Sequence, residues 1–225
     1  MFSIILGSFL LVLGTILPIV NPPGVAPIFW SLTTGASNKT RKILAKRVAL
    51  NAIFIVIVAT FLGKLVLFAL GISIPAVRVA GGLLVIGAAW KLLNAEDPDT
   101  GMHDISAETY TLDKAKSSAF YPLTFPITCG PGTVAASITL GTTFSYSNLN
   151  LELLSNIIGT VLGAMGVGLA IFISLYFAAE LLHKLGNQGT VIFMRLSAFI
   201  LLCIGVQIFW TGMHEFILIL NNDIK

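Results

Sequence analysis

Charge is scarce in this chain. Only 10% of its 225 residues are Asp, Glu, Lys or Arg, against about 25% in soluble domains. Hydrophobic residues make up 56%, and the mean hydropathy is +0.94. That balance excludes an ordinary water-soluble domain. Cysteine is scarcer still. Cys129 and Cys203 both sit in apolar stretches, too few for a disulfide framework and without metal-binding spacing. His103, His183 and His214 are scattered and add no ligand pattern. No Walker-type phosphate loop occurs, which removes that route to nucleotide hydrolysis. No nucleophile, base and acid stand in a recognisable constellation, so the chain is not expected to be an enzyme. No cofactor, metal or nucleic acid is implied. The first 20 residues hold no Lys or Arg, so the N-terminus lacks the basic lead of a secretory signal peptide and reads as a retained span. No Asp or Glu falls in the middle of an apolar run, and Glu152, Glu180 and Glu215 stand at ends. The buried carboxylate that proton-driven carriers often use as a relay is therefore missing. Any coupling would run through backbone carbonyls, an end-placed acid or sodium.

Long apolar runs are what the chain has in abundance. A membrane-crossing helix needs about 20 mostly apolar residues. Six such spans can be drawn, at about Phe2 to Leu32, Ala45 to Leu70, Ile74 to Leu93, Ser118 to Phe144, Leu153 to Ala179 and Val191 to Leu220. A polar connection between the third and fourth holds Glu96, Asp97, Asp99, Asp104, Glu108 and Asp113; a solvated linker is its plainer reading. The expected fold is all-α: a polytopic protein with residues 1–225 as a single membrane domain and the lipid bilayer as its partner. Of the 13 basic residues, Lys39, Arg41, Lys42, Lys46, Arg47, Lys91, Lys114, Lys116, Lys184 and Arg195 fall on one side, and Lys64, Arg78 and Lys225 on the other. The richly basic side is expected to be cytoplasmic, which puts both termini outside.

Two of the runs are interrupted in the same way. Pro18-Ile19-Val20-Asn21-Pro22-Pro23-Gly24 and Pro126-Ile127-Thr128-Cys129-Gly130-Pro131-Gly132 share Pro, Ile, Pro and Gly at matching positions, 108 residues apart. Proline removes an amide donor and clashes with the preceding turn; glycine leaves the backbone free. In lipid such a break persists only where protein or a water-filled cavity satisfies the freed groups. Matching breaks in two halves of a membrane protein point to a transporter's binding site. The halves align as three spans plus three. Repeat one covers about 1–93, an acidic linker about 94–117, and repeat two about 118–225, inverted, with the first and fourth helices broken. Asn51 and Asn156 then enter corresponding spans, and Arg78 and Arg195 open corresponding spans.

Helix N-termini carry partial positive charge and bind anions. The half-helix beginning after Gly24 is expected to offer the amides of Val25 and Ala26, and the one after Gly132 those of Thr133 and Val134. Carbonyls ahead of Pro22, Pro23 and Pro131 lose their usual donors. Asn21, Pro23, Gly24, Thr128, Gly130, Pro131, Gly132 and Thr133 thus form a candidate site suited to a small zwitterion, its carboxylate on amides and its amine on carbonyls. The plainer alternative is that the prolines only kink packed helices. Arg78 and Arg195 are candidates for steering or gating at the two mouths; the alternative is that each snorkels to the headgroups. Gly159, Gly163, Gly166 and Gly168, with Gly81, Gly82 and Gly87, are expected to let helices approach closely rather than to touch a ligand. Cys129 occupies a break, as a redox thiol or, more plainly, a buried inert one.

The run Asn21-Pro22-Pro23-Gly24-Val25-Ala26-Pro27-Ile28-Phe29, followed by Leu32-Thr33, resembles the N-terminal signature of the MarC family of bacterial and archaeal membrane proteins. The run Pro122-Leu123-Thr124-Phe125-Pro126, leading into Gly130-Pro131-Gly132-Thr133, resembles its second signature. Arg78 with Ala80-Gly81-Gly82-Leu83, and Arg195-Leu196 ahead of Ile204-Gly205-Val206-Gln207, resemble the openings of its third and sixth spans. Cys129 departs from the pattern, which has a small or apolar residue there. The resemblance covers essentially the whole chain. It implies a bacterial inner-membrane protein grouped with carriers of small neutral amino acids, within a larger lysine-exporter-like set. A transmembrane thiol conductor and a scaffold without substrate stay open as alternatives, as does a homo-oligomer.

Overall fold

The computed structural model describes residues 1–33, 35–94, 118–143 and 151–223. Among them every regular element is helical: α1 (Phe2–Val20), α2 (Pro22–Leu32), α3 (Asn38–Ala69), α4 (Ile74–Leu93), α5 (Ala119–Thr128), α6 (Pro131–Thr142), α7 (Leu151–Tyr176) and α8 (Ala178–Asp223). The acidic connection, from residue 95 on, and Lys225 lie outside the described residues. Phe2–Trp30, Asn38–Ala69, Ile74–Lys91, Leu151–Tyr176 and Gln188–Ile219 are each long and apolar enough to cross a membrane, and α5 with α6 makes a sixth crossing if that bent pair is one span.

Two helices start well before the apolar runs suggested. The α3 helix begins at Asn38 rather than near Ala45 because Ser37 caps it, its hydroxyl accepting the Thr40 amide at 3.1 Å. The cap carries the basic run into the helix. The α8 helix begins at Ala178, and its course is broken at Gly186 (φ 64°, ψ 177°). A short leg, 178–185, therefore precedes the span. Between α3 and α4 the chain turns sharply. Gly71 takes a positive φ of 67°, its amide bonds Phe68 O, and the Ile72 amide bonds Leu67 O. This is a Schellman closure, which uses glycine for the left-handed residue.

Helix contacts are close because glycines line them. On α7, Gly159 lies against Ile5 O and Ser8, and Gly163 against Val12 of α1. On α8, Gly205 meets Ile86, and Gly212 meets Arg78 and Val79 of α4; Gly82 of α4 in turn meets the backbone of Phe209. Gly141 of α6 abuts Thr60 O of α3. The packing role expected of Gly159, Gly163, Gly166, Gly168, Gly81 and Gly82 is what the structure shows, whereas Gly87 of α4 has open space beside it and packs against no neighbour among the described residues. In lipid, such close van der Waals contact replaces the hydrophobic drive. The outward positions are large and apolar, among them Phe2, Phe54, Phe68 and Trp210.

Polar side chains add specific ties. Ser8 Oγ donates to Asn156 Oδ1 at 2.8 Å, joining α1 to α7, and Asn51 Nδ2 donates to Thr124 Oγ1 at 3.3 Å, joining α3 to α5. Such intramembrane bonds contribute about 0.6–2 kcal/mol each. At the start of α3, Arg41 donates to Thr33 O at 3.1 Å and to Thr33 Oγ1 at 3.3 Å. Its guanidinium also lies 3.7 Å over the Trp30 ring. This clamps the end of α2 to the start of α3.

Candidate functional site

The first break is a single residue. Asn21 adopts the left-handed conformation (φ 46°, ψ 62°), ends α1 by donating its amide to Leu17 O at 2.9 Å, and accepts the Val25 amide on its own carbonyl at 3.1 Å. Asparagine tolerates this conformation better than other non-glycine residues. Helix α2 restarts at once, at Pro22, whose missing amide is no loss at a first helical position. The Asn21 side chain folds over that start, and Oδ1 accepts the Gly24 amide at 3.3 Å. A methyl group at Gly24 would collide with Asn21 Nδ2, so glycine is what lets this side chain lie there.

The expectation of open amides after Gly24 is thereby corrected. The Pro22 and Pro23 nitrogens carry no hydrogen, the Gly24 and Val25 amides are taken by Asn21, and Ala26 lies inside α2. What remains unspent is Asn21 Nδ2, which donates to no group among the described residues. It borders a pocket of about 210 Å³ lined by Leu17, Pro18, Asn21, Pro22, Pro23, Ser197 and Ile200. Asn21 and Ser197 are its polar side chains. Ser197 comes from α8 and is mostly buried.

The second break is larger in bend and more closed. The α5 segment winds in wide, π-type turns interrupted by extended residues at Tyr121 and Phe125, each ahead of a cis-proline. It meets α6 at 71°. Side-chain hydroxyls satisfy the irregular carbonyls. Thr124 Oγ1 donates to Ala119 O at 2.6 Å and Thr128 Oγ1 to Leu123 O at 2.7 Å, while the Cys129 amide donates to Thr124 O at 2.7 Å. At the start of α6, the Thr133 and Val134 amides both bond Gly130 O, at 3.0 and 3.2 Å. The amides expected to be open here are therefore occupied too. Thr128, Cys129 and Thr133 are buried, and a methyl at Gly132 would overlap Val85 Cγ2.

The pocket thus takes Asn21 and Pro23 from the residues singled out in the sequence. Gly24 lies beneath Asn21, and Thr128, Gly130, Pro131, Gly132 and Thr133 form no part of the lining. Ser197 and Ile200 were missed. Their one signal is Ser197's place two residues after Arg195 in an otherwise apolar run. Arg195 is exposed. Arg78 is ion-paired with Glu215 of α8 and also donates to Thr139 Oγ1 of α6 at 3.2 Å, so in this conformation its charge is engaged within the chain. Cys129 is buried, Cys203 is exposed, and both are free thiols. Among the described residues no three His, Cys, Asp or Glu side chains cluster as a metal site.

Comparison with known proteins gives one consistent match. The family model described as MarC family integral membrane protein matches residues 6–217. The chain is 29% identical over 222 residues to "UPF0056 membrane protein YvbG" of Bacillus subtilis (strain 168), covering 99% of this chain and 100% of that protein. It is 29% identical over 207 residues to "UPF0056 inner membrane protein MarC" of Escherichia coli O1:K1 / APEC, covering 91% and 93% respectively. No solved structure matches it significantly.

Proposed function

The chain belongs to the MarC family of integral membrane proteins, and on that footing we propose that it carries a small neutral amino acid, or a related zwitterion, across the bacterial inner membrane. The observation that carries this reading is the pocket at the Asn21 break. An interrupted helix beside a cavity is where transporters bind solute. Asn21 Nδ2 offers two N–H groups and Ser197 a hydroxyl, donors suited to a carboxylate, in place of the backbone amides that Asn21 and Gly130 consume. Apolar neighbours Leu17 and Ile200 fit a short side chain. A volume of about 210 Å³ suits a glycine- or alanine-sized molecule rather than a drug-sized one, whose sites run to about 300–1,000 Å³.

The inverted-repeat arrangement belongs to the same proposal. Exchanging α1 with α5, α2 with α6, α3 with α7 and α4 with α8 carries the α1–α7 contact onto α3–α5 and the α4–α6 contact onto α2–α8, and both partners of each exchange are packed pairs. The Asn51–Thr124 and Asn156–Ser8 bonds exchange in the same sense. An alternating-access carrier would open one break while sealing the other; the reading is supported by the pocket beside the first break and the buried side chains of the second. Both termini are proposed to lie outside the cytoplasm, from the basic residues.

A second reading, a membrane scaffold without substrate, is favoured by the internal hydrogen bonding of the second break. Flux separates the two. Proteoliposomes holding the purified chain are loaded with radiolabelled glycine, alanine, serine and threonine, with and without sodium or a pH gradient. Counterflow of at least one of these above protein-free vesicles is expected. Background flux for all of them under every gradient would leave the scaffold reading.

A further inference from the structure

The first turns of α3 carry Lys39, Lys42, Lys46 and Arg47, all exposed. Spacings of three and four residues set Lys39, Lys42 and Lys46 on one helical face. Arg41, in the same run, is turned away and held by Thr33 and Trp30, so it does not belong to this surface. Lys42 Nζ lies 4.7 Å over the ring of Tyr176, the last residue of α7. The leg 178–185 follows two residues later and carries Lys184, also exposed, while its Leu181, Leu182 and Leu185 are half-buried. That leg is amphipathic, with a polar side bearing Lys184. Of the acids among the described residues, Glu180 alone lies at this end, and none of the described acids pairs with these cations. The apolar stretch of α3 begins directly after them, at Val48. The cations therefore stand at headgroup depth.

We propose that this basic face is a binding surface for anionic phospholipid headgroups, with Lys39, Lys42 and Lys46 contacting the phosphate and Tyr176 fixing the Lys42 ammonium beside it. Exposed cations at the edge of a span attract acidic lipid, and each contributes about a fivefold gain in affinity. The charge complementarity selects phosphatidylglycerol-type lipids over zwitterionic ones. The surface is separate from the Asn21 pocket and does not depend on whether that pocket carries a solute.

Native mass spectrometry of the purified full chain tests this, with phosphatidylglycerol and phosphatidylcholine of matched chains as probes. The wild-type chain is expected to retain phosphatidylglycerol preferentially. The Lys39→Gln/Lys42→Gln/Lys46→Gln variant is expected to lose about a hundredfold in that affinity with phosphatidylcholine retention unchanged, and Lys64→Gln, at the other end of α3, is expected to lose nothing. Should the triple variant not fold, the single variants carry the test, at about fivefold each. Equal retention of the two lipids by the wild-type chain, or unchanged phosphatidylglycerol affinity in the variants, would overturn the proposal. Free glycerophosphate binding as tightly as the lipid would overturn the headgroup-at-the-bilayer assignment.

Discussion

The Arg78–Glu215 pair offers the most quantitative test of how the bundle holds together. It joins α4 to α8 where Gly212 brings the two backbones close to one another, and Thr139 adds α6 through Arg78 Nε. The side chains are 15% and 35% exposed, so the pair lies between the surface limit of about 0–1 kcal/mol and the buried limit, where breaking one partner costs about 3–5 kcal/mol. An intermediate loss of about 1–3 kcal/mol is expected for Glu215→Leu, which leaves a guanidinium with one hydroxyl partner in mostly apolar surroundings. Arg78→Leu is expected to cost less, because the carboxylate left behind is the more exposed group. The double variant Arg78→Leu/Glu215→Leu is expected to recover most of the loss, since replacing a pair by apolar residues is often close to neutral. The assay is reversible unfolding of the purified protein in mixed micelles, read as a double-mutant cycle. A coupling energy near zero, with the double variant as unstable as the two single losses added together, would refute the pairing as a structural tie.

Other expectations follow from named contacts. Gly132→Val forces a branched side chain into Val85; overpacking of this kind costs about 1–3 kcal/mol or more, and a lowered melting temperature with disturbed α4–α6 packing is expected on thermal unfolding. Thr160 Oγ1 is buried without a hydrogen-bond partner among the described residues, so the near-isosteric Thr160→Val should be neutral or stabilising by up to about 1 kcal/mol; a clear loss in the same assay would show that the hydroxyl is bonded. Cys129→Ser should leave solute flux unchanged, because the thiol is free and buried; loss of flux with normal insertion would revive the thiol-conductor alternative.

The sequence made the spans legible because a run of about 20 apolar residues has few other uses. It was less informative where polar chemistry decides an element. The helical start of α3 hinges on the Ser37 cap, which lies outside the apolar run that marks the span from about Ala45. The duplicated Pro-Gly pattern was visible, but its geometry was misread: proline at a first helical position restarts a helix, so α2 begins at Pro22 and not after Gly24. That shift is what transfers the donor role from backbone amides to the Asn21 side chain. Ser197 carried only its place two residues after Arg195, and one serine in an apolar helix is otherwise ordinary. The Glu215–Arg78 pair spans 137 residues of chain, and no local pattern links them.

The central claim is that a solute is held at the Asn21 break, and one measurement addresses it most directly. Uptake of radiolabelled alanine into proteoliposomes is compared for the wild-type chain and Asn21→Leu, with equal insertion verified for both. The substitution removes both Nδ2 donors, together with the Oδ1 that accepts the Gly24 amide, and keeps the side-chain bulk. A drop of about tenfold or more is expected, the cost of at least one lost hydrogen bond to a charged group at about 1.5–3 kcal/mol. Alanine uptake at the wild-type rate in Asn21→Leu would contradict the assignment of this pocket as the binding site.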